Sequence, residues 1–325
     1  MAGSIQEHFK QLMEQHKCAD LPIERDPLLV SEAMHPAEAF KFLAENGIRA
    51  CPVRSDAGGE IVGTLDLRDS CGYIVESFLT NNPKGTTALS KMPSFGKSRG
   101  YIKATATDIK EICRVRPFPT FQPDVSLLEI AQALASGSHI IGILGGDAEK
   151  GGLSRVVTQG MLLKFVAPAL SNTPTPVKAA MTSPVTSIRV TDPVLKGFDL
   201  MASKHVSSLA AVDENGMIIH NMSTSDVRIY FGTSEIEATT DLNMPLEDFL
   251  AKKRTSGAKH KTMAPISVCK EDDDLSSVVT KLVKTGYHRV WVVREKKPVG
   301  VLSLTDVFKK LAPGEGDKDK DCTIL

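Results

Sequence analysis

Four short segments of the chain share an arrangement of hydroxyl and acidic residues. They span 63–69, 157–161, 222–226 and 300–306. In three of them a carboxylate or hydroxyl residue is followed three positions later by an aspartate, namely Asp69, Asp226 and Asp306. A carboxylate can accept two hydrogen bonds from the neighbouring hydroxyls of a ribose. Capping of a helix N-terminus selects the same spacing and is the alternative interpretation.

Basic residues precede three of these segments at a matching distance. They are Arg49, His139 and His288, with Arg289 next to the last of them. Arginine and protonated histidine donate charge-assisted hydrogen bonds to phosphate, and a helix N-terminus offers free amide groups and a partial positive charge. The combination predicts a site for a nucleoside monophosphate, or for the inner part of a larger nucleotide.

Each segment closes a unit that recurs four times, with the order helix, strand, turn, strand, helix. The first unit has a helix over 37–46, strands over 48–54 and 61–67, and a helix from Arg68 onward. The others begin their first helices at Ser126, Pro193 and Leu275. A unit this small cannot bury its own apolar faces, so neighbouring units must pair. Four units therefore imply two paired modules.

The units and their connections divide the chain into eight regions. These are an N-terminal segment 1–22, a first repeat 23–80, a linker 81–110, a second repeat 111–170, a third repeat 171–232, a linker 233–262, a fourth repeat 263–312 and a flexible C-terminal tail 313–325. Both linkers are polar and rich in glycine or lysine, which is typical of spacers.

Composition excludes several classes of protein. The chain has 325 residues, and its 39 basic residues balance its 39 acidic ones, so no global field attracts nucleic acid or an anionic membrane. We expect no signal peptide and no membrane span, because no apolar run approaches the required length of about 20 residues. The six cysteines form no CxxC pair or zinc-type cluster, and we interpret them as thiols of a reducing compartment.

Motifs of catalysis are missing from the sequence. It contains no P-loop, no HExxH, no glycine-rich dinucleotide fingerprint and no paired catalytic carboxylates, so we predict a protein that is not an enzyme. The acidic run 271–274 suggests a metal site, but its place before a helix favours N-terminal capping. We therefore expect no metal and no catalytic cofactor.

The junctions and the strands before them resemble CBS repeats, which pair into modules that bind adenosine-containing ligands. Further segments resemble the gamma subunit of AMP-activated protein kinase, at 16–22, 47–52, 162–165, 205–209 and 287–290. The resemblance covers about 23–312. It implies an α/β (α+β) fold of four CBS repeats, each of the β-α-β-β-α type, that pair into two Bateman modules arranged as a pseudo-symmetric disc.

The same resemblance assigns roles to individual residues. It implies that Asp69, Asp226 and Asp306 bind ribose and that Arg49, His139, His288 and Arg289 bind phosphate. It adds hydroxyl or adenine contacts from Ser223, Ser303, Thr158 and Thr191. The chain also departs from the family. Asp66 stands where the family usually has a hydroxyl residue, Ile140 follows His139 where the family has an arginine, and Gly160-Met161 lack the family's basic pair. These departures leave the number of working sites and the tolerance for ATP open.

The resemblance also implies partners and a location. We expect a cytoplasmic regulatory subunit, with the nucleus as a further location, that binds AMP, ADP and ATP competitively and reports their binding to kinase catalytic (alpha) and scaffold (beta) subunits. One alternative is a stand-alone CBS scaffold that regulates another client, such as a channel or a metabolic enzyme. The other is a purely structural interaction protein with degenerate sites.

The last four residues suggest a modification. Cys322-Thr323-Ile324-Leu325 fits the C-a-a-X pattern with a terminal leucine, which predicts geranylgeranylation of Cys322. Stable anchoring usually needs a second signal, and the alternating acidic and lysine residues 317–321 do not form a polybasic one. A peripheral membrane location therefore depends on lipidation of Cys322, and an unmodified tail is the alternative.

Overall fold

The computed structural model describes residues 5–22, 25–81, 108–110, 116–172, 174–231, 241–255 and 266–313. Most of the two predicted linkers and of the tail lies outside these ranges, and so does Cys322. In the described part, helices alternate with four small sheets of three strands each. The predicted α/β class and the four repeats are confirmed.

The first half of the chain contains helix α1 and two repeats. Helix α1 spans Ile5–Gln15. The first repeat contains β1 (Val30–Ser31), α2 (Pro36–Glu45), β2 (Ala50–Arg54), β3 (Ile61–Asp66) and α3 (Leu67–Asn81). The second contains β4 (Thr120–Phe121), α4 (Leu127–Ala135), β5 (Ile140–Leu144), β6 (Leu153–Thr158) and α5 (Gln159–Val166).

The second half repeats this order with one local change. The third repeat contains β7 (Ser187–Arg189), α6 (Val194–Ser203), β8 (Ser208–Val212) and β9 (Ile218–Ser223), and α7 (Leu246–Thr255) follows it. Its predicted closing helix is a 3-10 helix, Thr224–Tyr230. The fourth repeat contains β10 (Val268–Cys269), α8 (Leu275–Thr285), β11 (Arg289–Arg294), β12 (Lys297–Ser303) and α9 (Leu304–Leu311).

All four sheets have the same topology and nearly the same register. The short first strand is parallel to the second, and the second is antiparallel to the third. Each antiparallel pair shifts register near its turn, at Val53/Arg54, Ile143/Leu144, Ala211/Val212 and Val292/Val293. Because the register is shared, equivalent residues of different repeats occupy equivalent positions around each closing helix.

The turn between the first helix and the second strand uses a left-handed residue in every repeat. The residues are Gly47, Gly137, His205 and Gly286, with φ angles of 65°, 108°, 53° and 66°. Glycine adopts this conformation without a steric penalty, whereas a residue with a Cβ atom does not. The turn therefore explains three of the glycines, and His205 is the strained member of the set.

The described repeats fall into two compact units. One unit consists of Leu29–Pro117 and Thr186–Pro265, which hold the first and third repeats. The other consists of Met1–Leu28, Phe118–Val185 and Ile266–Leu325, which hold the second and fourth repeats. Each unit thus joins repeats that are not consecutive in the sequence. In the first unit α3 packs against α6, and in the second α4 packs against α9.

Helix α1 belongs to the core of the unit with the second and fourth repeats. Its buried residues Ile5, Phe9 and Met13 follow the spacing of one helix face. Gln6 Nε2 also donates to the carbonyl of Lys310 at 2.9 Å. Full burial of a side chain such as Phe9 contributes about 2–3 kcal/mol. In the other unit an aromatic group forms part of the core, with ring centroids of Phe40 and Tyr73 5.7 Å apart.

No helix in the described ranges is both long and apolar enough to cross a membrane.

Candidate functional site

One backbone hydrogen bond recurs at the junction between the third strand and the closing helix. The first residue of the helix donates its N–H to the carbonyl of the residue just before the second strand. The four pairs are Leu67 with Arg49 at 2.8 Å, Gln159 with His139 at 3.3 Å, Thr224 with Ser207 at 3.1 Å and Leu304 with His288 at 3.1 Å. The structure therefore brings Arg49, His139 and His288 to equivalent positions beside helix starts, and Ser207 occupies that position in the third repeat.

The residue before each closing helix also occupies one position in all repeats. Asp66, Thr158, Ser223 and Ser303 pair across the sheet with Ala50, Ile140, Ser208 and Arg289. Asp66 is thus a carboxylate where the other three repeats have a hydroxyl. Three residues further on are Asp69, Met161, Asp226 and Asp306.

Capping uses the same oxygen, Oδ2, in all three aspartates. Asp69, Asp226 and Asp306 accept the backbone N–H of Asp66 at 3.1 Å, of Ser223 at 2.7 Å and of Ser303 at 2.7 Å. The capping interpretation is therefore correct for one oxygen of each carboxylate. It does not account for the other oxygen, Oδ1.

At the fourth junction, Asp306 accepts two hydroxyl groups. Thr182 Oγ1 donates to Asp306 Oδ1 at 2.7 Å, and Ser303 Oγ donates to Asp306 Oδ2 at 2.6 Å. Asp306 is half-buried, whereas Thr182 is exposed. Thr182 is brought there by main-chain pairing with Val301, since its N–H donates to the carbonyl of Val301 at 2.8 Å.

At the first junction, arginines hold both carboxylates. Arg116 Nη2 lies 2.8 Å from Asp69 Oδ1, and Arg116 Nε lies 3.0 Å and 3.1 Å from the two Asp69 oxygens. Arg68 holds Asp66 in the same way, with Nε 3.0 Å from Oδ1 and Nη2 3.2 Å from Oδ2. The first junction therefore contains two paired charges of each sign.

Burial and pairing affect the pKa values of Asp69 and Arg116 differently. Burial raises the pKa of the Asp69 carboxyl above its ordinary value, and Arg116 opposes this only in part. Burial alone would lower the pKa of Arg116, but Asp69 raises it above the ordinary value. Taking the carboxylate out of water thus costs free energy, which the guanidinium offsets through charge and hydrogen bonds.

At the third junction, two arginines lie close to the buried Asp226. Arg228 Nη2 donates to the carbonyl of Ile48 at 2.7 Å, which places Arg228 next to Arg49. Burial lowers the pKa of Arg228, and the positive charge of Arg49 lowers it further. Burial likewise lowers the pKa of Arg49, and the positive charge of Arg68 lowers it further. The negative charges of Asp66 and Asp226 oppose this shift only in part. The first and third junctions thus form one cluster of charges.

The second junction lacks a carboxylate and connects to the fourth. Thr158 Oγ1 accepts the N–H of Met161 at 3.2 Å, so it caps α5. Gln159 Nε2 donates to Thr305 Oγ1 at 2.9 Å, which joins the starts of α5 and α9. This junction offers hydroxyl and amide groups, and no acidic partner for a ribose at the position of Met161.

The remaining predicted residues occupy different surroundings. His139 and Arg289 are half-buried and His288 is exposed, each beside a helix start. Thr191 lies exposed in the turn between β7 and α6. Ser223 and Ser303 are half-buried at the ends of β9 and β12.

The acidic run is occupied by protein partners. Glu271 pairs with Arg294 at 2.8 Å, and Asp272 pairs with Lys178 at 2.7 Å. Asp274 accepts the N–H of Ser277 at 3.3 Å and caps α8, as the capping interpretation predicts. Within the described ranges no cluster of acidic, histidine or cysteine side chains could hold a metal ion. The thiols of Cys18, Cys51, Cys71 and Cys269 are free and buried.

Comparison with known families identifies the repeat. The model of the CBS domain family matches residues 18–69, 177–232 and 262–313. The second repeat lies outside these ranges, although its sheet has the same topology as the other three. The chain is therefore a CBS-domain protein.

Relatives extend the likeness over most of the chain. It is 22% identical over 317 residues to 5'-AMP-activated protein kinase subunit gamma of Dictyostelium discoideum, covering 93% of this chain and 52% of that protein. It is 25% identical over 344 residues to Protein SDS23 of Yarrowia lipolytica, covering 93% of this chain and 67% of that protein. The chain thus spans roughly half to two thirds of the length of these curated relatives.

A solved structure has the same fold. It is a protein of Methanocaldococcus jannaschii, described as a proposed archaeal homologue of the kinase gamma subunit. The superposition has a TM-score of 0.67 at 14% identity and covers 90% of this chain and 99% of that one. The resemblance to the gamma subunit that the sequence indicates is confirmed at the level of fold and family.

Proposed function

We propose that this chain is a regulatory subunit that binds adenine nucleotides and reports the ratio of AMP and ADP to ATP to a protein kinase. One observation carries the proposal. The carboxylate of Asp306 already accepts two hydroxyls, from Thr182 at 2.7 Å and from Ser303 at 2.6 Å. The vicinal hydroxyls of a ribose present the same kind of donors to a carboxylate. Asp306 is thus suited to a ribose without rearrangement of the helix that it caps.

Asp226 is the second ribose ligand of the proposal. Its position in the third repeat is equivalent to that of Asp306 in the fourth. Its Oδ2 accepts the backbone N–H of Ser223, as Oδ2 of Asp306 accepts that of Ser303. It is buried, with 2% of its surface exposed, so a ligand there must enter between closely packed groups. Asp69 has the third equivalent position, where Arg116 holds its carboxylate.

In the proposal, the phosphate is bound by the basic residues beside the N-termini of the closing helices. Arg49, His139 and His288 share one backbone position, and Arg289 follows His288. The guanidinium of Arg49 is partly buried and lies within electrostatic range of Asp66, Arg68 and Asp226. A partly buried cation of this kind gains most from an anionic ligand. Ser223, Ser303, Thr158 and Thr191 are the proposed hydroxyl and adenine contacts.

The partners in the proposal are a kinase catalytic subunit and a scaffold subunit in the cytoplasm. Support comes from the relatives named as subunits of AMP-activated protein kinase. A ligand can shift the kinase only through contacts that differ between nucleotides, so the phosphate ligands Arg49, His288 and Arg289 carry the discrimination. The proposal includes no catalytic step and no catalytic cofactor.

A second candidate is a CBS-domain regulator outside a kinase complex. It is favoured by the 25% identity to Protein SDS23, which slightly exceeds the 22% and 23% identities to the two kinase gamma subunits. Purification of the chain from its own cells distinguishes the two, because only the first candidate predicts kinase catalytic and scaffold subunits in stoichiometric amounts.

Calorimetric titration with AMP, ADP and ATP tests the binding function itself. Asp306→Asn keeps an oxygen for the N–H of Ser303 but removes the charge and one acceptor, so we expect AMP affinity at the fourth repeat to fall at least about tenfold. Asp213→Asn is the matched control, since Asp213 also accepts backbone N–H groups, from Asn215 at 2.9 Å and Met217 at 2.8 Å, but lies in the turn between β8 and β9 outside the proposed site. A wild-type chain that binds none of the three nucleotides would exclude the function.

A further inference from the structure

Arg116 and Thr182 occupy the same structural position in different units. Each lies in the segment that leads into the next repeat, and each pairs its main chain with the outer edge of a third strand. The N–H of Thr64 in β3 donates to the carbonyl of Arg116 at 2.8 Å, and the N–H of Val301 in β12 donates to the carbonyl of Thr182 at 3.0 Å. Thr64 and Val301 both lie two residues before the end of their strand.

From this shared position each side chain reaches the aspartate of the adjacent closing helix. Thr182 donates one hydroxyl to Oδ1 of Asp306 at 2.7 Å. Arg116 instead donates three hydrogen bonds to Asp69 at 2.8 to 3.1 Å and engages both oxygens. The side chain at this position is therefore a neutral hydroxyl in one repeat and a bidentate cation in the other.

We propose that the residue at this position determines whether a junction accepts the ribose of a nucleotide, so that Thr182 leaves Asp306 open and Arg116 closes Asp69. The inference rests on the proposed function, because it assumes that a ribose binds at Asp306. It assigns a specificity role to two residues that lie outside the strands and helices of the sites they control.

The two contacts differ in what a ribose must displace. At Asp306 a ribose exchanges one neutral hydroxyl donor for another, and the exposed Thr182 side chain turns to water without penalty. At Asp69 it must break a pair whose carboxylate side chain is only 11% exposed and whose guanidinium side chain is 29% exposed. The neutral hydroxyls of the ribose cannot replace the positive charge of Arg116 beside the carboxylate. The guanidinium of Arg116 would also remain partly buried without a charged partner.

The neighbouring pair adds to this difference. Asp66, with 4% of its side chain exposed, forms a second ion pair at the first junction, with Arg68. The fourth junction has the neutral Ser303 at that position. A ribose at the first junction therefore meets two largely buried ion pairs, whereas at the fourth it meets a carboxylate held by hydroxyl groups.

Substitutions at Thr182 and Arg116, followed by AMP titration in a calorimeter, test the inference on the full chain. Thr182→Arg introduces the bidentate cation beside Asp306 and is expected to weaken AMP binding at the fourth repeat at least about tenfold. Thr182→Val removes the hydroxyl with little change of shape, and AMP affinity should equal or exceed that of the wild type. Arg116→Thr should add one AMP-binding event per chain.

The controls separate this inference from the proposed function. Thermal melts followed by circular dichroism establish that each variant is folded, and Thr182→Lys supplies the cation if the arginine variant is not. Wild-type affinity in the Thr182→Arg chain, equal losses in the valine and arginine variants, or an unchanged stoichiometry in Arg116→Thr would each overturn the inference alone. Absence of AMP binding by the wild type would overturn the sensor function as well.

Discussion

Gln159 Nε2 donates to Thr305 Oγ1 at 2.9 Å and to the carbonyl of Leu134 at 3.1 Å. One amide of the second repeat therefore reaches the start of the last helix of the fourth repeat and the end of its own first helix. Carbonyls in the last turn of a helix have no intrahelical donor, so Leu134 depends on such a partner. The contact couples the two junctions of this unit.

Gln159→Leu should lower the free energy of unfolding by about 1–3 kcal/mol, because the buried carbonyl of Leu134 loses its side-chain donor while the shape is retained. Urea denaturation measures the difference. Gln122→Leu is the matched control, since Gln122 is exposed and its replacement should change stability by less than about 0.5 kcal/mol. Equal effects of the two substitutions would show that the amide contributes nothing.

Arg116→Ala should destabilise the fold by about 2–3 kcal/mol at pH 7, because it leaves Asp69 charged and poorly hydrated. The loss should depend on pH. Burial already raises the pKa of Asp69, and removal of Arg116 raises that pKa further. A carboxyl group whose pKa is higher in the folded than in the unfolded state lowers the free energy of unfolding as the pH rises above its unfolded-state pKa of about 4. The difference in stability between the wild type and Arg116→Ala should therefore become smaller as the pH falls toward about 4.

Denaturation of the wild type and of Arg116→Ala between pH 4 and pH 7 measures this effect. The double variant Asp69→Asn, Arg116→Ala provides the control, since it has no carboxyl to titrate at that position. A deficit of constant size across the pH range would contradict the assignment of the effect to Asp69.

The repeats and their junctions are predictable from sequence because they depend on local patterns. Alternating apolar residues indicate the strands, and the spacing of Ser303 and Asp306 indicates the helix start between them. The equivalent positions of Arg49, His139 and His288 follow from the shared register. The first and third repeats meet through the packing of α3 on α6, which no local pattern encodes.

The partners of the aspartates are not predictable in this way. Arg116 is 47 residues from Asp69, and Thr182 is 124 residues from Asp306. Both reach the junction because the segment before a repeat pairs its main chain with the third strand of a different repeat, at Thr64 for Arg116 and at Val301 for Thr182. That pairing uses main-chain groups, so the residue types in the sequence do not indicate it. The position of Arg228 is unpredictable for a related reason, because its acceptor is the main-chain carbonyl of Ile48, 180 residues away in the sequence.

His205→Gly should stabilise the protein by about 0.5–1 kcal/mol. The exposed His205 has a φ of 53°, where a Cβ atom costs about 1–2 kcal/mol, and the flexibility of glycine in the unfolded chain offsets part of that gain. Gly47→Ala, at the equivalent turn of the first repeat, should destabilise by a comparable amount. Thermal unfolding reports both changes, and a less stable His205→Gly variant would show that the histidine side chain outweighs the strain.

Arg49→Gln should weaken AMP binding by about 10- to 100-fold, because a charge-assisted hydrogen bond contributes about 1.5–3 kcal/mol. Adenosine, which has no phosphate, should bind both proteins equally. Arg25→Gln is the control for general charge, since Arg25 is exposed. Equal losses for AMP and adenosine would place the effect of Arg49 on folding and not on the phosphate.

The most direct measurement is a crystal structure of the chain with AMP. We predict that the 2'- and 3'-hydroxyls of the ribose lie within hydrogen-bonding distance, about 2.5–3.0 Å, of the Asp306 carboxylate, with Thr182 displaced from Oδ1. The phosphate should lie toward the basic residues beside the helix starts. A nucleotide bound elsewhere, with Asp306 still held by Thr182, would contradict the proposed site.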